Sequence, residues 1–185
     1  MKILGISGSL RAASHNTALL RAAAELTPEG VVLELYPSLE TLPPYNEDRD
    51  TDSPPAEVQR LRDAIAEADA LLVATPEYNT TMPGQLKHAI DWGSRPYGPD
   101  SALWGKPAAA IGASVTDYGA MWAQDHARRA LGIAGARVLE TELAVAHADQ
   151  LFDDEGRLSD PETRERLAEL LQGLTEHHES LVLAA

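Results

Sequence analysis

The sequence contains no cysteine, which excludes a disulfide framework. Lysine is almost as scarce, since only Lys2, Lys87 and Lys106 occur, and the formal net charge is −14. An acidic surface repels nucleic acids and anionic membranes, so neither is expected as a partner. No apolar run is long enough for a transmembrane helix or for the core of a signal peptide. The composition therefore predicts a cytoplasmic protein.

Several familiar ligand-binding patterns are missing as well. The chain has neither the GxGxxG loop of dinucleotide-binding folds nor a Walker A loop, which disfavours an NAD-binding Rossmann protein with Glu34 at the ribose. The stretch Asp153–Gly156 lacks the ligand positions of a calcium loop and indicates a turn. The histidines lack metal-ligand spacing, so no metal site is predicted. They are His15, His88, His126, His147, His177 and His178.

What is present is a strict alternation of apolar runs and helical patterns. The runs typical of strands are Lys2–Ser7, Val31–Tyr36, Ala70–Thr75, Ala108–Ser114 and Arg137–Val145. The helical patterns are Asn16–Leu26, Pro55–Ala68, Pro83–Ser94, Ala120–Leu131 and Pro161 to about Leu183. This alternation predicts a doubly wound α/β fold with a five-stranded parallel sheet, in a single domain spanning residues 1–185.

Two further segments have recognisable patterns. Asp160 is a plausible cap for the last helix, and Pro161 suits its first turn. That helix carries one apolar stripe, formed by Leu167, Leu170, Leu171 and Leu174. The segment Pro37–Pro54 is rich in proline and acidic residues without any period, which predicts a long loop.

The segment Gly8–Asn16 joins the first predicted strand to the first helix. Unpaired backbone amides and the helix dipole at such a junction favour an anion, to which hydroxyl groups and Arg11 add donors. The side chains concerned are Ser9, Arg11, Ser14, Asn16 and Thr17. The segment therefore predicts a phosphate site. The alternative is an ordinary capped helix, with Ser14 as the cap and Arg11 in solvent.

Two later strand ends carry polar and aromatic residues. After the third strand, Pro76 restricts the backbone, Tyr78 offers a flat face and Asn79 has both a donor and an acceptor, which suits a planar heterocycle. The alternative is that Tyr78 packs on its own loop and Asn79 makes an Asx turn. Ser114 follows the fourth strand. With the strand order 2-1-3-4-5, these ends and the phosphate segment share one crevice.

The chain resembles the NADPH-dependent FMN reductase family, which includes bacterial quinone and chromate reductases. The resemblance rests on GSLRAASHNTAL and PEYNTTMPGQLKHAIDW, which are similar to the family patterns GSLRxxSxNxxL and PEYNxSxPGxLKNAIDW. It implies a flavodoxin-like, three-layer fold and a bound FMN. The implied phosphate ligands are Ser9, Arg11, Ser14 and Asn16, with Thr17 nearby, and the implied ring contacts are Pro76, Glu77, Tyr78, Asn79 and Ser114.

Three residues depart from the family pattern: Thr81 replaces a serine, His88 replaces an asparagine, and Thr116 stands where glycine is common. Thr116 and its neighbours Asp117 and Tyr118 are expected to affect the access of electron acceptors to the ring. The resemblance also implies a homodimer or homotetramer with the flavin near a subunit contact.

The expected activity is hydride transfer from NADPH or NADH to FMN N5 and then to a quinone, a flavin or a similar acceptor, in a ping-pong sequence. The cofactor carries this chemistry, so no acid or base residue is nominated as catalytic. The alternative is a flavodoxin-like electron carrier without nicotinamide turnover of its own.

Overall fold

The computed structural model describes residues 1–153 and 155–184. Asp154, which belongs to the expected Asp153–Gly156 turn, lies outside these residues. The strands are β1 (Lys2–Ser7), β2 (Val32–Leu35), β3 (Ala70–Ala74), β4 (Pro107–Ala113), β5 (Arg137–Val138) and β6 (Leu143–Val145). The helices are α1 (His15–Glu25), α2 (Ala56–Glu67), α3 (Gly84–Gly93), α4 (Met121–Ile133) and α5 (Pro161–Leu183).

The strands form one parallel sheet whose order is β2-β1-β3-β4-β5, as predicted. Helices α1 and α5 contribute to the apolar core on one face, whereas α2, α3 and α4 contribute to the core on the other. This three-layer arrangement is the expected flavodoxin-like one. It brings the carboxyl ends of β1, β3 and β4 side by side, because β1 pairs with β3 and β3 pairs with β4.

The predicted fifth strand, Arg137–Val145, is wrong as a continuous element. The structure divides it into β5 and β6, and each of these two strands pairs with β4. Between them Glu140, Thr141 and Glu142 are exposed, and the Glu142 carboxylate lies 3.5 Å from the Arg128 guanidinium. An edge strand has a partner on one side only, so an exposed acidic stretch interrupts the pairing at little cost. The sheet therefore has six strands.

The last helix follows its sequence pattern closely. The Asp160 carboxylate accepts a hydrogen bond of 2.8 Å from the Thr163 N–H, and Pro161 occupies the first turn. The four predicted stripe residues are all buried in the core shared with α1. The capping and the apolar stripe are therefore confirmed.

The predicted loop Pro37–Pro54 contains one short 3-10 turn and is tied to α3. Gln85 donates from its side-chain amide to the carbonyl groups of Leu39 and Leu42, and the buried Trp92 donates from Nε1 to the Pro43 carbonyl at 2.8 Å. Leu39 and Leu42 are themselves buried. This loop is therefore packed as part of the fold.

Within residues 1–153 and 155–184, no helix combines the length and the apolar character needed to cross a bilayer.

Candidate functional site

The segment between β1 and α1, residues 8–14, is called the phosphate loop here. It starts against the neighbouring strand, because the Gly8 N–H donates to the Ala74 carbonyl at 2.8 Å. A Cβ at Gly8 would lie 3.3 Å from Pro76 Cδ and 3.0 Å from Leu86 Cδ2. A larger residue would crowd Leu86 at the start of α3 as well as Pro76, so glycine lets the loop lie close to both.

The phosphate loop presents unpaired donors. Among the described residues, no hydrogen bond uses the backbone N–H of Leu10, Ala12, Ala13 or Ser14. Arg11 is exposed and joins no ion pair in that part of the chain. Free amides beside a helix N-terminus and an unpaired guanidinium are the chemistry of an anion site. This donor set fits a phosphate monoester such as that of FMN.

The remaining candidate phosphate residues have additional structural contacts. Ser14 caps α1, since its Oγ accepts from the Thr17 N–H at 3.2 Å, so the capped-helix interpretation and the phosphate-site interpretation are compatible. The Thr17 hydroxyl lies 2.8 Å from the Ser7 hydroxyl, and the Ser9 Oγ accepts from the Arg11 N–H at 3.4 Å. Each hydroxyl oxygen retains a further lone pair or its hydrogen.

Asn16 connects the phosphate loop to β4. Its side-chain oxygen accepts from the Ala113 N–H, and its Nδ2 donates to the Ala113 carbonyl, both at 2.9 Å. The side chain is buried, so these two bonds hold the start of α1 against the end of β4. One hydrogen of Nδ2 is left for a ligand. Asn16 is thus primarily a positioning residue, a role that the local pattern did not indicate.

The segment Pro76–Thr81, called the ring loop here, turns sharply after β3. Tyr78 and Thr81 exchange backbone hydrogen bonds of 3.0 and 3.2 Å, and the intervening Asn79 and Thr80 have φ angles of 51° and 61°. The backbone N–H groups of Glu77, Asn79 and Thr80 donate to no described residue, and half of the Tyr78 side chain is exposed. This loop therefore offers a row of free amides next to an aromatic face.

The ring loop is anchored to α4 by two side chains. Glu77 Oε2 accepts from the Ala123 N–H at 3.0 Å and caps a helix whose own cap residue, Ala120, has no side-chain acceptor. The Thr81 hydroxyl lies 2.8 Å from His126 Nδ1. His126 has no local signal for this role, because it is 45 residues away from Thr81 in sequence. These contacts fix the ring loop over the end of the sheet.

The segment Ser114–Gly119, called the third loop here, completes the group. The Ser114 hydroxyl lies 3.0 Å from the Thr116 hydroxyl, and the Asp117 carboxylate lies 3.2 Å from His147 Nε2. Gly119 has a φ of +54°, and a Cβ there would lie 2.6 Å from the backbone of Ala144. Glycine is therefore required at the point where the chain enters α4.

The three loops follow neighbouring strands, so the structure places the predicted phosphate residues, ring residues and Ser114 at one edge of the sheet. The site contains free amides, hydroxyl groups and one guanidinium. Within the described residues, no group of three or more histidine and acidic side chains is placed to hold a metal ion. The arrangement suits a planar ligand with an anionic tail.

Comparisons with known proteins agree with this geometry. A family model described as NADPH-dependent FMN reductase matches residues 1–150. An NAD(P)H-dependent FMN reductase of Pseudomonas aeruginosa is 46% identical over 175 residues, covering 94% of this chain and 93% of that protein. A quinone reductase of Pseudomonas putida is 41% identical over 156 residues, covering 84% and 83%.

A solved structure has the same fold over nearly the whole chain. It is the flavoenzyme NAD(P)H:(acceptor) oxidoreductase of Paracoccus denitrificans, which is 33% identical and has a TM-score of 0.86. The match covers 97% of this chain and 97% of that chain. The resemblance found in the two sequence motifs is thereby confirmed over the rest of the molecule. This chain belongs to the NADPH-dependent FMN reductase family.

Proposed function

We propose that this chain is an NAD(P)H-dependent FMN oxidoreductase that reduces quinones or similar acceptors. The observation that carries the proposal is the pair of neighbouring loops with unpaired backbone amides, one suited to a phosphate and the other to the edge of a planar ring. Family membership favours this activity over the electron-carrier alternative, because the relatives described above are named as reductases.

The phosphate loop binds the anionic tail of FMN. Arg11 provides the charge, whereas the free amides of Leu10, Ala12, Ala13 and Ser14 and the hydroxyls of Ser9, Ser14 and Thr17 provide neutral donors. Asn16 orients this set by holding α1 against Ala113. Hydrogen bonds from fixed donors to a charged group are among the stronger ones in proteins, so this loop dominates cofactor affinity.

The ring loop binds the flavin ring at Pro76, Glu77, Tyr78 and Asn79, and Ser114 contacts it from the third loop. When bound, FMN would supply the redox chemistry, which is hydride uptake from the nicotinamide and electron transfer to the acceptor. The free amides of Glu77, Asn79 and Thr80 would donate to the edge of a bound ring and would stabilise negative charge there without reorganisation. No acid or base side chain is assigned to the reaction.

The test starts with the absorbance spectrum of the purified protein, in which we expect bound flavin. Anaerobic NADPH should bleach that spectrum, and a quinone should restore it. In steady-state assays, double-reciprocal plots at several quinone concentrations should be parallel, because one site serves the two substrates in turn.

Three results would contradict the proposal. Protein that stays colourless after soaking in excess FMN would exclude a flavin site. Flavin that is bound but never bleached by NADPH or NADH would support the electron carrier. Intersecting plots would exclude the ping-pong order.

We also propose a homodimer or homotetramer made through the face around the site. Exposed apolar side chains are concentrated there: Leu10, Tyr78, Val115, Tyr118, Met121 and Trp122. Tyr118 and Trp122 have ring centroids 4.7 Å apart and form its aromatic centre. Burial of such a patch stabilises a contact between copies. Sedimentation velocity should give at least twice the 19.9 kDa chain mass, and a monomer at micromolar concentration would contradict the proposal.

The remaining expectations are also our proposals. Residues 1–185 form one domain, which is supported by the single sheet covered on both faces, and a single cooperative unfolding transition is expected. A cytoplasmic location and the lack of a nucleic-acid partner stay predictions from composition. Cell fractionation tests the first, and a nucleic-acid binding assay tests the second.

A further inference from the structure

The third loop is attached to the chain at the end of β6. The Ser114 N–H donates to the Val145 carbonyl at 3.0 Å, and the Ala148 N–H donates to the Ser114 carbonyl at 3.0 Å. The His147 N–H donates to the Thr116 carbonyl at 3.3 Å. Val145 and Ala148 are buried in the core, so these bonds hold the exposed third loop against a fixed part of the fold.

His147 allows this attachment through an unusual backbone conformation. Its φ and ψ angles are 50° and 40°, in the left-handed region that few residues other than glycine adopt. A residue in this region turns successive N–H groups toward the same side, whereas a continuing strand would turn them to opposite sides. The N–H groups of His147 and Ala148 therefore both reach the third loop.

The side chain of His147 makes a further contact with the third loop. Its Nε2 lies 3.2 Å from the Asp117 carboxylate. Both side chains are at least half exposed, so this pair by itself contributes little to stability. Together with the backbone bond to Thr116, however, it lets one residue hold two consecutive positions of the loop.

Thr116 connects His147 to the Ser114 hydroxyl. The Ser114 Oγ accepts from the Thr116 N–H at 3.2 Å and lies 3.0 Å from the Thr116 Oγ1. Two contacts between one hydroxyl and one residue select a single rotamer of the serine. The Ser114 hydroxyl keeps either its hydrogen or one lone pair for a ligand. Its direction is thus determined by Thr116, whose own position is determined by His147.

We propose that His147 and Thr116 are positioning residues for the flavin ring, which act by fixing the direction of the Ser114 hydroxyl. The inference rests on the proposed function, in which Ser114 contacts the ring. Neither positioning residue belongs to the phosphate loop, so their substitution should affect binding of the ring and not of the phosphate. Riboflavin, which has the ring without the phosphate, separates the two effects.

The first test uses Thr116→Val, which removes the hydroxyl and keeps a β-branched side chain. We expect it to weaken the binding of riboflavin and of FMN by the same factor, about two- to tenfold, the usual effect of one neutral hydrogen bond. Thr116→Ser keeps the hydroxyl and should bind both flavins like wild type. Fluorescence titration of the flavin-free protein measures the affinities. The visible absorption bands of bound flavin should shift in Thr116→Val and return in Thr116→Ser.

A double-mutant cycle tests whether Thr116 acts through Ser114. If it does, Ser114→Ala and the double variant Ser114→Ala with Thr116→Val should have equal flavin affinities, because the hydroxyl that Thr116 directs is already absent. Factors that multiply in the double variant would show that the two residues act independently.

The second test uses His147→Val, because a β-branched residue rarely adopts the left-handed conformation. It should weaken both flavins by at least the factor found for Thr116→Val. His147→Asn should bind them within about twofold of wild type, because asparagine tolerates that conformation. His178→Val, which changes a histidine of α5, is the control and should bind like wild type. If His147→Val does not fold, His147→Ala takes its place.

Three results would overturn the inference. The first is unchanged flavin affinity in Thr116→Val or in the folded His147 variant. The second is weaker binding of FMN without equally weaker binding of riboflavin, and the third is independent effects in the double-mutant cycle. Wild-type protein that binds neither flavin contradicts the proposed function instead, so the two failures are distinguishable.

Discussion

Arg11→Ala is expected to weaken FMN binding roughly ten- to a hundredfold, because a hydrogen bond to a charged group contributes about 1.5–3 kcal/mol. Arg11 is exposed and has no ion pair among the described residues, so its removal leaves the packing of the loop unchanged. The measurement is the dissociation constant of FMN from quenching of flavin fluorescence, with flavin-free protein titrated at fixed ionic strength.

The control for Arg11 is an exposed arginine of α5, Arg166→Ala, which removes one positive charge from a different helix. It separates a direct contact from a general change in net charge, which starts at −14. Equal dissociation constants for wild type and Arg11→Ala would exclude Arg11 as a phosphate ligand. The phosphate would then be bound without a contribution from the Arg11 guanidinium.

Asn16→Ala is expected to destabilise the protein even when no flavin is bound. The substitution removes both hydrogen bonds to Ala113 and leaves a buried backbone N–H without a partner. Each lost bond of this kind costs about 1–3 kcal/mol, so the loss of two should decrease the free energy of unfolding by about 2–6 kcal/mol. Urea denaturation of the flavin-free protein measures it, and the melting temperature should fall by roughly 5–15 °C.

Asn16→Asp is the matched variant, because a carboxylate still accepts from the Ala113 N–H but cannot donate to the Ala113 carbonyl. At neutral pH it should be at least as unstable as Asn16→Ala, because its second oxygen would place a buried negative charge against the Ala113 carbonyl oxygen. If flavin-free Asn16→Ala is as stable as wild type and differs only in flavin affinity, then Asn16 is a direct ligand and the connection between α1 and β4 contributes little.

Local pattern was sufficient for most of the secondary structure. The predicted strands Lys2–Ser7 and Ala70–Thr75 agree with β1 and β3 to within a residue, since short apolar runs are typical of strands buried on both faces. The predicted Arg137–Val145 failed, because pairing at a sheet edge depends on which neighbour is present and on contacts such as Glu142 with Arg128. A local sequence pattern contains neither the identity of the neighbouring strand nor such long-range contacts.

For the site, the two motifs identify the phosphate loop and the ring loop, and the order of strands brings them together. They do not reveal that Glu77 caps α4, that His126 contacts Thr81, or that Asn16 holds β4. Each of these contacts joins residues 45 or more positions apart. Their side chains are of types that ordinary loops also contain, so no local pattern distinguishes them.

The amino-acid sequence by itself determined the alternation of strands and helices, the net acidic charge and the two motifs of the family, because propensity, charge and short spacing are local properties. The tertiary structure alone decided which backbone amides remain unpaired, which side chains hold the loops in place, and that Gln85 and Trp92 hold the segment Pro37–Pro54 against α3. The physical reason is that pairing and burial depend on distances between segments, and those exist only once the sheet has formed.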